Sequence, residues 1–565
     1  MSRLKTATIL SLALVICSFG CAPAGPGAPS STELQQKTAG PKRVVTAILS
    51  EATTLSERRS LSGRGAGGDE LGELVNAALI RGDDSGNPHP ELAEAQPTVE
   101  NGLWKVFPDG RMETTWHLKP GTLWHDGQPL TSDDLRFTVL LGQDRDLGIQ
   151  GDQAFALIDG MQTPDPRTIT VQWSGPYIEA DTLFTQGFFS YGLAIPAPRH
   201  LLEEPYLTSK STFFENPFWT DAFVGSGPFR LKQFERGSHV IIEANPDYIL
   251  GRPKLDEIEV RFISTATVVP TVLSGDIDFT MGRDISIEQG VQIRDQWKNG
   301  TVDFSKVGGG LALYAQHINP SPAIVTDVRF RKAALYGLNR QEIGDVIQNG
   351  IGRVADSYLF PNDREYKETE GSLVKYDYDP RRASQMLQDL GYAAGADGKL
   401  QDAGGQKLSL EVTTTTADLN QKTLLAIGDY WGRIGIAADL SIVPPQRARD
   451  LEFRSTFPAF NMTGARNGVR TLRNMHSSQT PLPSNNFLGN NASRYQNTEL
   501  DGLIDTYFTT IPRPARIGLL SQVVHHVSDN LNWMGITYDV DATAIGNRVK
   551  NVTPVPWNPH EWDVD

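Results

Sequence analysis

Apolar positions along this chain fall into short strand-like runs separated by stretches with helical spacing, and this alternation sets out the elements. Arg43-Val44-Val45-Thr46-Ala47-Ile48-Leu49 is β-branched and mostly apolar, which predicts a first strand. Leu71, Leu74, Val75, Ala78 and Leu79 recur at three- and four-residue spacing, which predicts an amphipathic helix over 69–80. The stretch 108–138 holds several signals at close spacing. Pro108-Asp109-Gly110 is a turn, Met112 to Leu118 reads as a strand, and Lys119-Pro120-Gly121 ends it. A short strand, Thr122 to His125, runs into Asp126-Gly127-Gln128-Pro129, and Thr131 stands three residues before Asp134 as a capping box opening a helix. Farther on, Gly225-Ser226-Gly227-Pro228 turns into a strand, and a hairpin turn at Glu235-Arg236-Gly237 leads to the return strand Val240–Glu243. Another strand ends at Ile318-Asn319, and a helix is predicted from Asp327 to Arg340. Strands and helices alternate throughout, which is the pattern of an α/β fold.

The first residues read differently. Arg3 and Lys5 precede an apolar run from about Ala7 to Phe19, too short to span a bilayer comfortably and suited to a signal-peptide core over 1–20. Ser18-Phe19-Gly20-Cys21 resembles a bacterial lipobox, with Ser18 in place of the usual leucine, so Cys21 is the expected lipidation site. Several acyl chains on that cysteine supply stable anchoring. Residues 21–42 are rich in Pro, Gly, Ala and Ser and cannot bury a core, which predicts a tether reaching roughly 25 Å.

Composition narrows the function classes. A chain of 565 residues with 39% hydrophobic content can build more than one domain. Its net charge of −15 argues against nucleic acid as a partner, because phosphate binding needs clustered Lys and Arg. The only cysteines are Cys17 and Cys21, so the folded body has no thiol for a disulfide, a zinc site or a nucleophile. No G-x-S-x-G elbow, H-E-x-x-H or P-loop is present. Gly63, Gly65 and Gly68 spell G-x-G-x-x-G, but polar Glu57-Arg58-Arg59-Ser60 stands where the required strand should be, so a loop is expected. His125-Asp126 reads as a turn, Asp133-Asp134 as charge at a helix N-terminus, and His525-His526 point about 100° apart on one helix. The reading is of a protein that is not an enzyme.

Taken in order, these stretches resemble the solute-binding proteins of ABC importers in the dipeptide, oligopeptide and nickel group. The resemblance is carried by PDGRMETTWHLKPGTLWHDGQPLTSDDLRFT (108–138), Pro90-Glu91-Leu92-Ala93, Gly225 to Leu231, Asn245-Pro246-Asp247-Tyr248, Asp327 to Arg340, Tyr378 to Tyr392 and Tyr495 to Asp501. It implies a periplasmic-binding-protein-like α/β fold: two lobes around a hinged cleft, with an extra domain inserted in lobe I. Lobe I would comprise 43–88, 223–308 and 536–565, the inserted domain 89–222, and lobe II 309–535. Gly308-Gly309-Gly310 and Asn532 to Ile536 would be the hinge crossings.

The resemblance also implies an extracytoplasmic monomer, in the periplasm or at the cell surface. It would capture a peptide-like or other small solute and deliver it to ABC permease subunits with their ATPase, needing no cofactor or metal. A sensory or chaperone-like receptor is the alternative. Pocket residues would come from Glu51 and Thr53 after the first strand, Tyr314 and His317 on the strand opening lobe II, and Arg466 and Arg470 in the loop 462–473. Peptide-binding relatives carry an aspartate in that loop, which pairs with the peptide's α-amino group. This loop has no acid, and Arg470 falls about where the aspartate would be. An ammonium group buried against arginine faces a like charge, so free-amine peptides are disfavoured. Arg447, Arg449, Arg454, Arg466, Arg470 and Arg473 instead suggest a solute with an anionic or oxygen-rich face, the alternative being that they pair with the protein's own acids.

Overall fold

Ten strands of the computed structural model form one sheet, in the order Ala437–Ile442, Ser409–Thr414, Phe460–Ala465, Gly300–Ala315, Met534–Gly546, Phe279–Thr280, Arg43–Ile48, Glu257–Phe262, His239–Ala244, Phe229–Glu235. The structure describes residues 40–52, 54–56, 68–83, 87–147, 153–186, 194–282, 285–447, 450–465, 468–554 and 558–565. The signal peptide and Cys21 readings, the tether as far as residue 39, Gly63 and Gly65, Thr53, Arg449 and Arg466 therefore lie outside the described residues. Residues 41–565 form one compact unit.

The sheet has two α/β halves. In one, Arg43–Ile48 pairs in parallel with both Glu257–Phe262 and Phe279–Thr280, so both its edges are paired, and its side chains enter two apolar clusters, Val44 and Ile48 in one and Ala47 in another. Val44, Thr46, Ala47 and Ile48 are accordingly all buried, as expected of a parallel central strand. In the other, Ser409–Thr414 pairs in parallel with Ala437–Ile442 and Phe460–Ala465, and the helix Asp418–Arg433 makes the crossover. A third body holds an antiparallel sheet of Trp104–Val106, Met112–His117, Thr168–Trp173 and Ile158–Asp165. Leu135 and Val139, four residues apart on the helix Ser132–Gln143, join Trp116, Ile169, Val171 and Trp173 in its core.

Two long strands connect the halves. Gly300–Ala315 runs antiparallel to Met534–Gly546, and the register slips between Asp303 and Lys306, Val307 and Gly309, and Leu311 and Ala312. The glycine run 308–310 is thus strand, with Gly309 opposite Asp539 and Gly310 opposite Tyr538. Bulges bend and twist a strand, and glycine permits both. Beyond them the two-residue period reappears. Ala312 and Tyr314 enter one apolar cluster, while Leu311, Leu313 and Ala315 enter another on the opposite face.

Three local expectations are corrected by tertiary contacts. The helix expected over 69–80 ends at Val75, and Ile80 begins a strand. Asn76 terminates it, donating its side-chain amide to the carbonyls of Leu55 (3.0 Å) and Gly72 (2.8 Å), while Leu79 N–H goes to Phe184 O. The helix expected from Asp327 to Arg340 is two helices, Val328–Tyr336 and Arg340–Ile347, because Gly337 closes the first against Ile434 and the Asn339 side chain caps the second. Thr122 to His125 is shorter than the strand expected: Leu123 makes a single antiparallel bridge to Pro129, Trp124 N–H is bonded to Gln128 O, and the turn already begins at His125.

Candidate functional site

The stretches singled out in the sequence meet in space, where they build a scaffold. His125 donates from Nε2 to Gly227 O (3.0 Å) and accepts Gly225 N–H at Nδ1 (3.2 Å), so it spans the Gly225-Ser226-Gly227 turn. Burial, outweighing the bond to Gly227, lowers its pKa to about 4 and keeps the ring neutral. A Cβ on Gly225 would lie 2.0 Å from Val75 O, so only glycine lets this turn press against the end of helix Gly68–Val75. Asn245 Nδ2 also donates to Gly227 O.

Tyr248 and Arg81 converge on buried Glu91: the phenol donates to Oε1, as do Arg81 Nη2 at 3.0 Å and Nε at 3.3 Å, while Ala78 N–H donates to Oε2. Burial alone would favour neutral Arg81, but Glu91, Tyr248 and Glu73 outweigh it and raise its pKa. Arg340 plays a comparable part, donating to Gly535 O, Asp356 Oδ1 and Tyr376 O.

Between the second half of the sheet and the inserted body lies a different cluster. Arg470, on the short helix Val469–Met475, places Nε 2.6 Å from Glu179 Oε1 and donates from Nη2 to Thr182 Oγ1 at 3.3 Å. The other carboxylate oxygen of Glu179 accepts from Tyr177 OH at 3.1 Å. Asp181, two residues on, accepts from Gln96 Nε2 at 3.0 Å. Burial dominates its environment and pushes its pKa up to about 7, against the attraction of Arg516 and Arg470 and with the help of Glu179. Arg516 is held by the carbonyls of Thr510 and Ile511. Both members of the Glu179–Arg470 pair stay about one-fifth exposed, so the pair is within reach of solvent.

Of the residues expected in the pocket, Glu51, Tyr314, His317 and Arg470 are among the described residues, and each has different partners. Glu51 is exposed and accepts Gly237 N–H at 3.0 Å. Tyr314 is buried in the apolar cluster that also contains Tyr358, Leu472 and Trp533; burial, with a smaller contribution from Tyr358, raises its pKa. Tyr358 ties that cluster to the Arg470 loop, donating to Thr471 Oγ1 at 2.8 Å. His317 turns elsewhere: Nδ1 lies 3.1 Å from Ser493 O and the ring packs on Tyr495. Burial, reinforced by Arg331, lowers its pKa to about 4.

Of the other arginines, Arg447 pairs with Asp450 and lies over Phe453, and Arg473 lies over Phe508, each 3.9 Å from the ring centroid. Arg454 is exposed. Sequence reasoning missed Glu179, Asp181 and Thr182. Their signal was Pro176-Tyr177-Ile178-Glu179-Ala180-Asp181, two acids set among apolar residues. Among the described residues no group of three or more His, Cys, Asp and Glu is placed to hold a metal ion. His526 Nε2 contacts Tyr495 OH, whereas His525 Nδ1 contacts Ser372 O.

Comparison with known proteins fits this geometry. The profile of bacterial extracellular solute-binding proteins, family 5 Middle, matches residues 87–484. The oligopeptide-binding protein AppA of Bacillus subtilis is 26% identical over 460 residues, covering 78% of this chain and 77% of its own. Its crystal structure in complex with a nonapeptide superposes with a TM-score of 0.64 at 19% identity, over 93% of this chain and 99% of that one. NikA of Brucella suis in complex with Fe(III)-EDTA gives a TM-score of 0.71 at 15% identity, over 93% and 100%. CtaP of Listeria monocytogenes gives 0.72 at 18% identity, over 91% and 95%. The family profile spans well over half of the sequence and the structural likeness nearly all of it, so this chain belongs to the bacterial extracellular solute-binding proteins of family 5.

Proposed function

We propose that this chain is the lipid-anchored solute receptor of an ABC importer, capturing a peptide-like or other small solute and handing it to membrane permease subunits without altering it. The observation that carries the reading is the pair of long bulged strands, Gly300–Ala315 and Met534–Gly546, joining two half-sheets. Such a connection bends at two strands and leaves the flanking bodies to close around a guest. On this reading lobe I is 43–88, 223–308 and 536–565, lobe II is 309–535, and 89–222 is the inserted domain. The solute meets residues drawn from both sides, with lobe II supplying Arg470 and Arg466, whose guanidinium forks suit an anionic or oxygen-rich face. Cys21 carries the anchor, so Cys21→Ser is expected to move the protein from the membrane to the soluble fraction.

A thermal-shift screen over N-blocked and free-amine peptides, sugars and metal chelates, followed by small-angle scattering on each hit, tests the receptor role. At least one solute should raise the melting temperature and shrink the radius of gyration. Failure of every class, or conversion of the solute to product, would sink the reading. Arg470→Ala should then weaken an anionic hit at least tenfold, and unchanged binding removes Arg470 from the site.

A further inference from the structure

The Arg470 fork is already engaged by a carboxylate that belongs to the protein. Glu179 lies 2.6 Å from Arg470 Nε, in the geometry a carboxylate guest would adopt, and Thr182 adds a hydroxyl at 3.3 Å from Nη2. The two partners sit on separate bodies, Glu179 in the inserted domain and Arg470 in the second half of the sheet, and both are partly open to solvent. A charge-assisted pair that is partly solvated is weak enough to be exchanged, because water and salt screen it. Resting on the receptor reading above, we propose that Glu179 is an internal stand-in for the solute's carboxylate: it holds Arg470 until an anionic solute displaces it, and so sets which solutes the cleft accepts.

The neighbouring charges define when the site has room for such a guest. Arg470 and Arg516 are the cations of the cluster, and Glu179 and Asp181 its acids. Gln96 and Tyr177 are neutral donors to those acids, and Arg513 nearby is already tied to Glu365 and Glu368. With Asp181 protonated the cluster carries one net positive charge and can take an added carboxylate; with Asp181 ionised it is neutral and takes one less readily. Asp181 changes state near pH 7, so carboxylate binding strengthens as pH falls from 8 to 6.

The test uses full-length protein and two probes, N-acetyl-trialanine with a free carboxylate and the same peptide as its amide, with affinities from calorimetry and folding checked by melting temperature. Glu179→Gln, which can still accept from Tyr177, is expected to bind the carboxylate probe at least tenfold more tightly than the parent and the amide equally. Arg470→Gln should abolish the preference for the carboxylate. Asp181→Asn should abolish the gain between pH 8 and 6. An unchanged ratio of carboxylate to amide affinity in Glu179→Gln overturns the proposal, and so does binding of neither probe by that variant. If an uncharged solute still closes the parent protein in scattering, the receptor reading survives that failure; if nothing closes it, both fall.

Discussion

Arg81 shows what a single charged side chain does in this core. It is 3% exposed, its guanidinium lies against Glu91, and Tyr248 completes the set. A buried pair of this kind is costly to break, since the remaining partner is left charged and unsolvated. Arg81→Met should therefore destabilise the fold by about 3–5 kcal/mol, read from urea unfolding, whereas Lys422→Ala at the exposed Glu288 pair should cost about 1 kcal/mol or less. Titration at single residues also gives signed predictions. Asp363 is 6% exposed, has no partner for Oδ1, and is pushed up to about 7 by burial, then by Glu365. A carboxyl raised in the fold contributes stability at low pH that is lost as pH rises from about 4 through 7. Asp363→Asn should thus raise the urea midpoint most at pH 8, less at each lower pH, and leave it nearly unchanged only below about pH 4. His125 and His317 work the other way: lowered to about 4 in the fold, they remove stability as pH falls from 6.5 towards 4.

At the scale of elements, close approach decides which residues a turn or strand can carry. Gly225-Ser226-Gly227 abuts the helix Gly68–Val75 so tightly that a Cβ on Gly227 would lie 2.5 Å from the carbonyl carbon of Val75. The obstacle is backbone and cannot rotate away. Gly225→Ala or Gly227→Ala should cost at least about 1–3 kcal/mol, the usual range for overpacking, and lower the melting temperature accordingly. The paired strands pose the opposite case. Segment 357–363 clamps them: the Tyr538 O–H is shared between Ser357 O and Leu359 O, and Asn362 Nδ2 donates to Ser305 O. The bulges beside that clamp bring Gly309 opposite Asp539. On the receptor reading Gly309→Val, a residue that favours regular strand, should leave the melting temperature within a few degrees while reducing the solute-driven change in radius of gyration. A full change in radius in that variant would move the bend elsewhere.

For the whole molecule, on the receptor reading, the relevant quantity is the difference in affinity between open and closed arrangements. A solute closes the protein only as far as it binds the closed form more tightly. Ligand at 100 times its dissociation constant should add about 2.7 kcal/mol to stability in denaturant unfolding, and a solute that binds both arrangements equally should stabilise without shrinking the protein. The net charge of −15 gives long-range attraction for cationic solutes, while on the reading proposed above the Arg470 cluster gives short-range attraction for anions. Raising salt should therefore weaken the approach of a cationic solute more than the binding of an anionic one already held within the cleft.

The sequence by itself determined the α/β class, the strands at 43–48, 112–117, 229–235 and 239–244 and the scaffold motifs, because these depend on local period, turn chemistry and residues a few positions apart. Thr131 opens its helix with its N–H on Asp134 Oδ2 at 2.8 Å, and the hairpin at residues 229–244 is present, as their spacing predicts. Only the tertiary structure decided where helix 68–75 stops, because Asn76 reaches back to Leu55 and Leu79 pairs with the distant Phe184, and that the three glycines are strand, because their partner strand lies more than 200 residues away. It also decided the company of Arg470. Nothing local to residue 470 announces Glu179 or Asp181, nearly 300 positions earlier, and a side chain's charge partner is fixed by which surfaces the fold brings together.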